Sequence, residues 1–284
     1  MKLAALVLAA VGAAATAVSP ASWSRPTAPF QIADNLYYVG TEGISAFLVT
    51  SPKGHILIDG AMPSSAPAIE ASIRQLGFRL GDVKILLNTH AHFDHTGGLA
   101  DLKQDTGAKL FASQGDRKAL ETGTYPGSED AEFLKFKPVA VDHVLKDGET
   151  VRIGGNVLTA HLTPGHSPGC TTWTFPVKIA GTAHQALLYC STSVALNRLV
   201  SKTKGPQYPG IVDDYRRTFA RLKTLKADVL LAPHAEQFDL DAKHAKLAQG
   251  APNAFVDPTE LSRTLSTSEA EFEIELARQQ KAAQ

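Results

Sequence analysis

Apolar residues fall in short bursts along this chain, and most bursts have the length of a strand. Residues 36–39, 44–50 and 55–58 predict a meander, with Ser51-Pro52-Lys53-Gly54 as the turn between the last two. A helix is predicted over 67–76. Val83-Lys84-Ile85-Leu86-Leu87 is a mostly apolar run that reads as a buried strand. Gly97-Gly98 then opens a short helix over 99–106, which Gly107 stops. Residues 109–112 predict another strand, and strands 150–153 and 157–162 flank the hairpin signal Gly154-Gly155. A second hairpin is predicted from 170–175 and 185–190, turning near Ala180-Gly181. An amphipathic helix follows over 212–225, with Asp residues early and basic residues later. A last strand covers 229–231, and two helical pieces, 258–265 and 267–281, close the chain. Strands, helix, strands, helix, strand predicts an α/β fold of two packed sheets with external helices.

The amino terminus does not join this pattern. Met1-Lys2 is a short positive start, and residues 3–18 form an apolar run rich in alanine. Ala15-Thr16-Ala17 and Ser19-Pro20-Ala21 both suit signal cleavage, so 1–21 reads as a signal peptide rather than an uncleaved anchor. The mature part, 22–284, is then a single domain of roughly 260 residues, exported to the periplasm. Hydrophobic residues make up 44% of the chain, enough for a large core. Lys plus Arg and Asp plus Glu number 28 each, so the formal charge is zero. No stretch is basic with interleaved aromatics, which excludes a nucleic-acid partner. After signal cleavage no membrane association is expected, and a monomer is.

The chemistry concentrates in His90-Ala91-His92-Phe93-Asp94-His95, where three of ten histidines and one aspartate share six positions. A regular helix would scatter them and a strand would split them between two faces, so a tight loop after the 83–87 strand is predicted. Neutral imidazole and carboxylate are zinc ligands. Two further histidines have matching settings. His166 lies in the stiff turn Pro164-Gly165-His166-Ser167-Pro168-Gly169, and His234 follows the apolar strand and Pro233. Six donors are too many for one tetrahedral zinc and suit two ions with an open position between them. The division expected is His90, His92 and His166 for one ion, and Asp94, His95 and His234 for the other. His55, His143, His161, His184 and His244 lack such settings and are expected in the core or at the surface.

These residues resemble the metallo-β-lactamase superfamily, from about Asn35 to the carboxy-terminal helix. The resemblance implies an αβ/βα sandwich with the metals at one edge of the sheets. Glyoxalase II, lactonases, some nucleases and persulfide dioxygenases resemble the His-x-His-x-Asp-His run equally well. Most of these relatives carry an acid that bridges the metals, but Leu187-Leu188-Tyr189-Cys190-Ser191-Thr192-Ser193 contains none. Subclass B1 β-lactamases use a cysteine in this segment and lack a metal-binding histidine where His95 stands. Subclass B3 enzymes use the histidine, and Pro168-Gly169-Cys170-Thr171-Thr172-Trp173 and Asp213-Asp214-Tyr215-Arg216-Arg217-Thr218-Phe219 also resemble that subclass. The resemblance implies a periplasmic, two-zinc β-lactamase that confers antibiotic resistance. It would open the lactam amide of penicillins, cephalosporins and carbapenems with a metal-bound hydroxide. Asp94 would orient the nucleophile or relay its proton, and Ser191 and Ser193 would bind the substrate carboxylate.

Cys190 is either a soft zinc ligand or the partner of Cys170. Opposed residues of the predicted hairpin have numbers that total about 360, which places the two cysteines face to face and favours a disulfide. Asp59, at a strand end, is expected to hydrogen-bond a metal-ligating histidine or else to stabilise its own turn. The loop 122–130, with Tyr125-Pro126-Gly127, reads as a flap over the site or as a plain exposed loop. Two other functions stand beside the lactamase reading: another periplasmic metallo-hydrolase such as a lactonase, and a non-catalytic zinc-binding protein.

Overall fold

The structure is a computed structural model describing residues 19–284. The signal-peptide reading therefore lies, except for residues 19–21, outside the described residues. Among the described residues the chain forms two sheets. In the first, β1 (Phe30–Ala33), β2 (Leu36–Tyr38), β3 (Phe47–Val49) and β4 (His55–Ile58) are antiparallel neighbours. Three parallel strands extend it: β5 (Val83–Leu87), β6 (Lys109–Ser113) and β7 (His143–Leu145). The second sheet holds β8 (Thr150–Ile153), β9 (Asn156–Leu162), β10 (Thr171–Ile179), β11 (Thr182–Leu188) and β12 (Val229–Leu231). Its order is β12-β11-β10-β9-β8, antiparallel except for the β11–β12 pair.

β4 reads as a continuous apolar run because both of its faces are buried. Ile56 and Ile58 face the second sheet's core residues Leu158, Trp173 and Phe175, while Leu57 packs on the opposite side. That outer side is covered by α1 (Ala66–Gln75), α3 (Leu99–Thr106) and α4 (Gln114–Thr122), through Ile69, Ile73, Leu102 and Leu120; α2 (Phe93–Thr96) precedes α3. The second sheet is covered by α5 (Ile211–Leu222), α6 (Leu240–Ala248) and α7 (Glu260–Ala282). There Tyr215 and Phe219 of α5 meet Phe272 of α7, with ring centroids 4.9 and 5.7 Å apart. The layers run helix, sheet, sheet, helix, which is the expected αβ/βα sandwich.

Several predicted bounds move. The 44–50 strand shrinks to β3, and Ile44 instead makes an isolated antiparallel bridge to His234. Helix α3 has the expected limits, with Gly107 at φ 70° closing it in the left-handed region. The two expected carboxy-terminal pieces are one continuous helix, α7. Nothing between them breaks a helix, and Ser266 satisfies its hydroxyl on the Ser262 carbonyl at 2.9 Å. Strands β1 and β7 and helices α4 and α6 form in addition to the elements the sequence predicts; α4 and α6 are nine residues each.

The cysteine hairpin forms as β10 and β11, with Ala180 and Gly181 both at positive φ in its two-residue turn. Trp173 pairs with Leu188, one residue off the expected register, so the cysteines lie just beyond the ladder rather than directly opposed. They are bridged nonetheless, with Cα atoms 5.8 Å apart. The soft-ligand reading of Cys190 is therefore set aside. A Cys170→Ser/Cys190→Ser variant should lose about 3 kcal/mol of stability, because the bridge closes a loop of 20 residues. Denaturant unfolding of the metal-free proteins under oxidising conditions measures it, and an unchanged midpoint would contradict it.

Candidate metal centre

The strand ends converge at one edge of the sandwich. Asp59 follows β4, His90 follows β5, Ser191 follows β11 and His234 follows β12, while His166 sits in the turn from β9 to β10. The two sheets are joined at this edge by the Thr171 amide, which donates to the Thr89 carbonyl at 2.8 Å.

The His-x-His-x-Asp-His run is not a loop throughout. The chain bends at Thr89 after β5, and His92, in extended conformation, caps the helical turn α2. Its carbonyl accepts from the His95 amide at 3.0 Å, and from the Thr96 amide and hydroxyl at 2.9 and 2.8 Å. This reversal turns Asp94 and His95 away from His90 and His92, so one short segment serves two neighbouring points.

Two groups of donors result. His90, His92 and His166 form one, and Asp94, His95 and His234 the other; within each, the ligand atoms lie within 4.8 Å of one another. In the second group the His95 and His234 Nε2 atoms are 3.2 Å apart, and Asp94 Oδ2 lies 3.3 and 3.5 Å from them. Ligands about 2.0 Å from a tetrahedral ion stand about 3.3 Å from one another, so this spacing fits a zinc-sized ion. His90 Nε2 is buried with no hydrogen-bond partner, which is the state of a nitrogen reserved for a ligand. The His90 and His95 rings are 4.3 Å apart, so the groups are adjacent.

Burial pushes His90 and His92 well below the usual imidazole range, and neighbouring histidines add to it. Burial likewise takes His166 down to about 4 and His234 to about 3. The shift favours the neutral form of these four imidazoles, the form that binds a metal. His95 differs: burial opposes its charge, but Asp94 and Asp59 hold it raised. For Asp94 burial opposes ionisation, and the charge and hydrogen bond of His95 nevertheless keep it below the usual carboxylate range.

Backbone and buried polar groups fix the rings. His166 Nδ1 donates to the Ser193 carbonyl at 2.7 Å, which leaves Nε2 facing the first group. Tyr215 donates to the same carbonyl at 2.8 Å, and Asn197 Nδ2 donates to the His166 carbonyl at 2.9 Å. Of the two roles the sequence leaves open for it, Asp59 does not form the direct hydrogen bond to a histidine nitrogen. Its two oxygens accept from the Thr89 amide and hydroxyl, both at 2.7 Å, and that hydroxyl lies 3.2 Å from His90 Nδ1. Ser193 is exposed, with its hydroxyl 3.5 Å from His166 Nδ1; Ser191 is buried and accepts from the Ser193 amide at 3.1 Å. The 122–130 loop brings the Tyr125 ring to 4.4 Å from His92.

Three contributors carried no sequence signal. Trp23, next to the predicted leader, packs edge-on against the His234 ring at 5.0 Å. Thr89 is an ordinary residue before the motif. Asp116 is a lone acid on the polar helix α4, yet it is fully buried between the loops of His90 and His166. Burial pushes its carboxyl up to about 6 against hydrogen bonds from Ser167, Ala91 and Gly169.

The family model described as the Metallo-beta-lactamase superfamily matches residues 39–178. A subclass B3 metallo-β-lactamase of Bradyrhizobium japonicum is 48% identical, with 93% of this chain and 99% of that one covered at a TM-score of 0.89. The chain belongs to the metallo-β-lactamase superfamily. The metallo-β-lactamase of Legionella gormanii is also similar, at 40% identity and a TM-score of 0.86 over 90% of this chain and 98% of that one. Among curated proteins, a hydroxyacylglutathione hydrolase of Methylococcus capsulatus is 28% identical over 66% of this chain. The chain spans only 61% of that relative's length, and 48% of a metal-dependent hydrolase of Cupriavidus taiwanensis. Membership of this superfamily and the donor sets together imply a divalent metal and a hydrolase.

Removing the Asp59 carboxylate should leave a buried amide and a buried hydroxyl of Thr89 without their acceptor. An Asp59→Ala variant is expected to lose about 3 kcal/mol in the metal-free state. Urea unfolding followed by tryptophan fluorescence measures this, and a loss below about 1 kcal/mol would show that the contact contributes little.

Proposed function

We propose that this protein is a zinc-dependent β-lactamase of the subclass B3 kind, holding two zinc ions and opening the amide bond of penicillins, cephalosporins and carbapenems. His90, His92 and His166 hold the first ion, and Asp94, His95 and His234 the second. The observation that carries this reading is the pair of adjacent donor groups without any acid in the 187–193 segment. Its likeness to solved B3 enzymes over nearly the whole chain supports it.

Bound zinc supplies a Lewis acid and water that ionises near neutral pH. The protein's own groups do the rest. Asp94 turns Oδ2 to the His95 and His234 nitrogens, and its other oxygen would orient the attacking water and relay its proton to the lactam nitrogen as the C–N bond breaks. Ser193, exposed beside His166, receives the substrate carboxylate, with Ser191 behind it setting the Ser193 amide. Tyr125 and Trp23 wall the site on the His92 and His234 sides and keep bulk water from the rings. No nucleophilic serine is required. The disulfide fits a periplasmic, exported enzyme, and no helix among the described residues is long and apolar enough to cross a membrane. A monomer that confers resistance to β-lactams completes the reading.

The curated hydroxyacylglutathione hydrolases favour a second reading, hydrolysis of a glutathione thioester on the same scaffold, beside which stands the lactonase reading of the sequence. A purified mature protein that hydrolyses a carbapenem, loses activity to a chelator and regains it with zinc supports the first reading. No carbapenem turnover by zinc-loaded protein, with turnover of a glutathione thioester or a lactone, would replace it with the second. Zinc uptake without turnover of any of these would leave a binding protein.

Asp94→Ala and His234→Ala each strip one donor from the second group. Each variant should retain one zinc per chain where the parent holds two, and lose at least about 100-fold in carbapenem turnover. Native mass spectrometry and steady-state kinetics read the two effects. Parent-like turnover with a single zinc would contradict the two-ion mechanism.

A further inference from the structure

One buried charge near the site has no part in the mechanism above. Asp116 lies in the first turn of α4 and is 1% exposed. One of its oxygens, Oδ2, accepts from the Ala91 amide at 2.8 Å and from the Ser167 hydroxyl at 2.9 Å. The other, Oδ1, accepts from the Gly169 amide at 2.9 Å. All three donors are neutral, and no lysine or arginine pairs with Asp116 among the described residues.

The identity of those donors is the informative point. Ala91 stands between His90 and His92, and Ser167 directly follows His166. A single carboxylate therefore grips, from outside, the two chain segments that bring the first donor group together. Those segments come from different sheets and are 76 positions apart at His90 and His166 (counted from the numbering). The packing around the grip is tight. A Cβ on Gly169 would stand 2.3 Å from the Asp116 amide nitrogen, and one on Gly115 would stand 2.2 Å from the Pro168 carbonyl oxygen. The backbone of α4 thus touches the His166 turn with no room for a side chain. The second donor group has no such contact with Asp116: its residues lie on α2 and after β12.

Charge gives the arrangement a direction. Three neutral imidazoles leave a divalent ion with its full charge, whereas the second group contains the carboxylate of Asp94. The Asp116 carboxylate holds Ala91 and Ser167, the residues that adjoin the three imidazole ligands, and an anion buried there offsets that excess. Such outer partners are worth about 10–100-fold in metal affinity.

We infer that Asp116 is a positioning residue for the first metal site alone: it sets the distance between the His90–His92 segment and the His166 turn and supplies the negative charge that the three imidazoles lack. The inference rests on the donor-group assignment proposed above.

Two backgrounds separate the sites. His234→Ala leaves the first group whole, and His92→Ala leaves the second whole. In each background the full-length mature protein is compared with and without Asp116→Asn, and with and without Ser167→Ala, by zinc competition against a chromophoric chelator and by the visible absorption of bound cobalt. Asparagine keeps the shape, but loses the charge and points a donor at one of the three donors. Ser167→Ala removes one hydrogen bond and is the safeguard should Asp116→Asn fail to fold. In the His234→Ala background, Asp116→Asn should weaken zinc about tenfold or more and shift the cobalt spectrum, and Ser167→Ala should weaken it severalfold. In the His92→Ala background both changes should be less than about twofold. Equal weakening of both sites would make Asp116 a scaffold residue and overturn the inference, as would parent-like affinities and spectra in both backgrounds. A His234→Ala protein that binds no zinc would overturn the donor assignment itself, and this inference with it.

Discussion

Five imidazoles and one carboxylate, four of the six buried and His92 and His234 half-buried, stand side by side at a shared edge of two sheets, and the rest of the structure answers to that. Buried polar atoms without partners are costly, and His90 Nε2, His95 Nδ1 and His234 Nδ1 have none in the protein. Packing alone would favour turning these rings toward solvent. They stay inward because the backbone that carries them is pinned elsewhere: by Thr89 and Asp59 before the motif, by the Ser193 carbonyl on His166, and by the Ile44 bridge at His234. The histidines are held ready as neutral ligands, with His95 paired to Asp94.

Each donor group straddles the two sheets. His90 and His92 leave β5 of the first sheet and meet His166 from the second; Asp94 and His95 likewise meet His234 after β12. The apolar core between the sheets, built on Phe47, Ile56, Ile58, Trp173 and Phe175, therefore sets the ligand geometry as well as the stability. An ion in either group would tie the sheets together in return, since binding to the folded form alone stabilises it by mass action. The Cys170–Cys190 bridge and the Thr171–Thr89 hydrogen bond hold the same edge without any ion.

The comparisons pull in two directions, and the residues decide how to weigh them. A curated hydroxyacylglutathione hydrolase is similar at 28% identity over 66% of this chain, while a B3 β-lactamase is similar at 48% identity over 93% of it. The 187–193 segment weighs between the two. There the chain offers a disulfide and two serines after β11, and no acid to join the metals. This is why the lactam reading is preferred to a thioester or lactone reading on the same scaffold.

Much of this was legible in the linear order. The apolar burst of β5, followed at once by His90, His92, Asp94 and His95, marks a strand end loaded with ligands, and the Gly-Pro turn around His166 marks a rigid presentation. The even cysteine pair marked a bridge, although its register was one residue off, since the ladder ends before the cysteines. The sequence predicts two carboxy-terminal helical pieces, whereas tertiary packing of Leu265, Phe272 and Leu276 carries a single helix through. Local sequence thus determined most of the strands, though not β1 or β7, which turns are stiff and which side chains can bind metal, because these depend on neighbours a few positions away. Only the tertiary structure decided that His92 starts a helical turn, that Asp59 acts through Thr89, that Trp23 lies on His234 and that Asp116 grips two loops. Those contacts join segments far apart in the chain, and their energies arise from burial that exists only once the two sheets have closed.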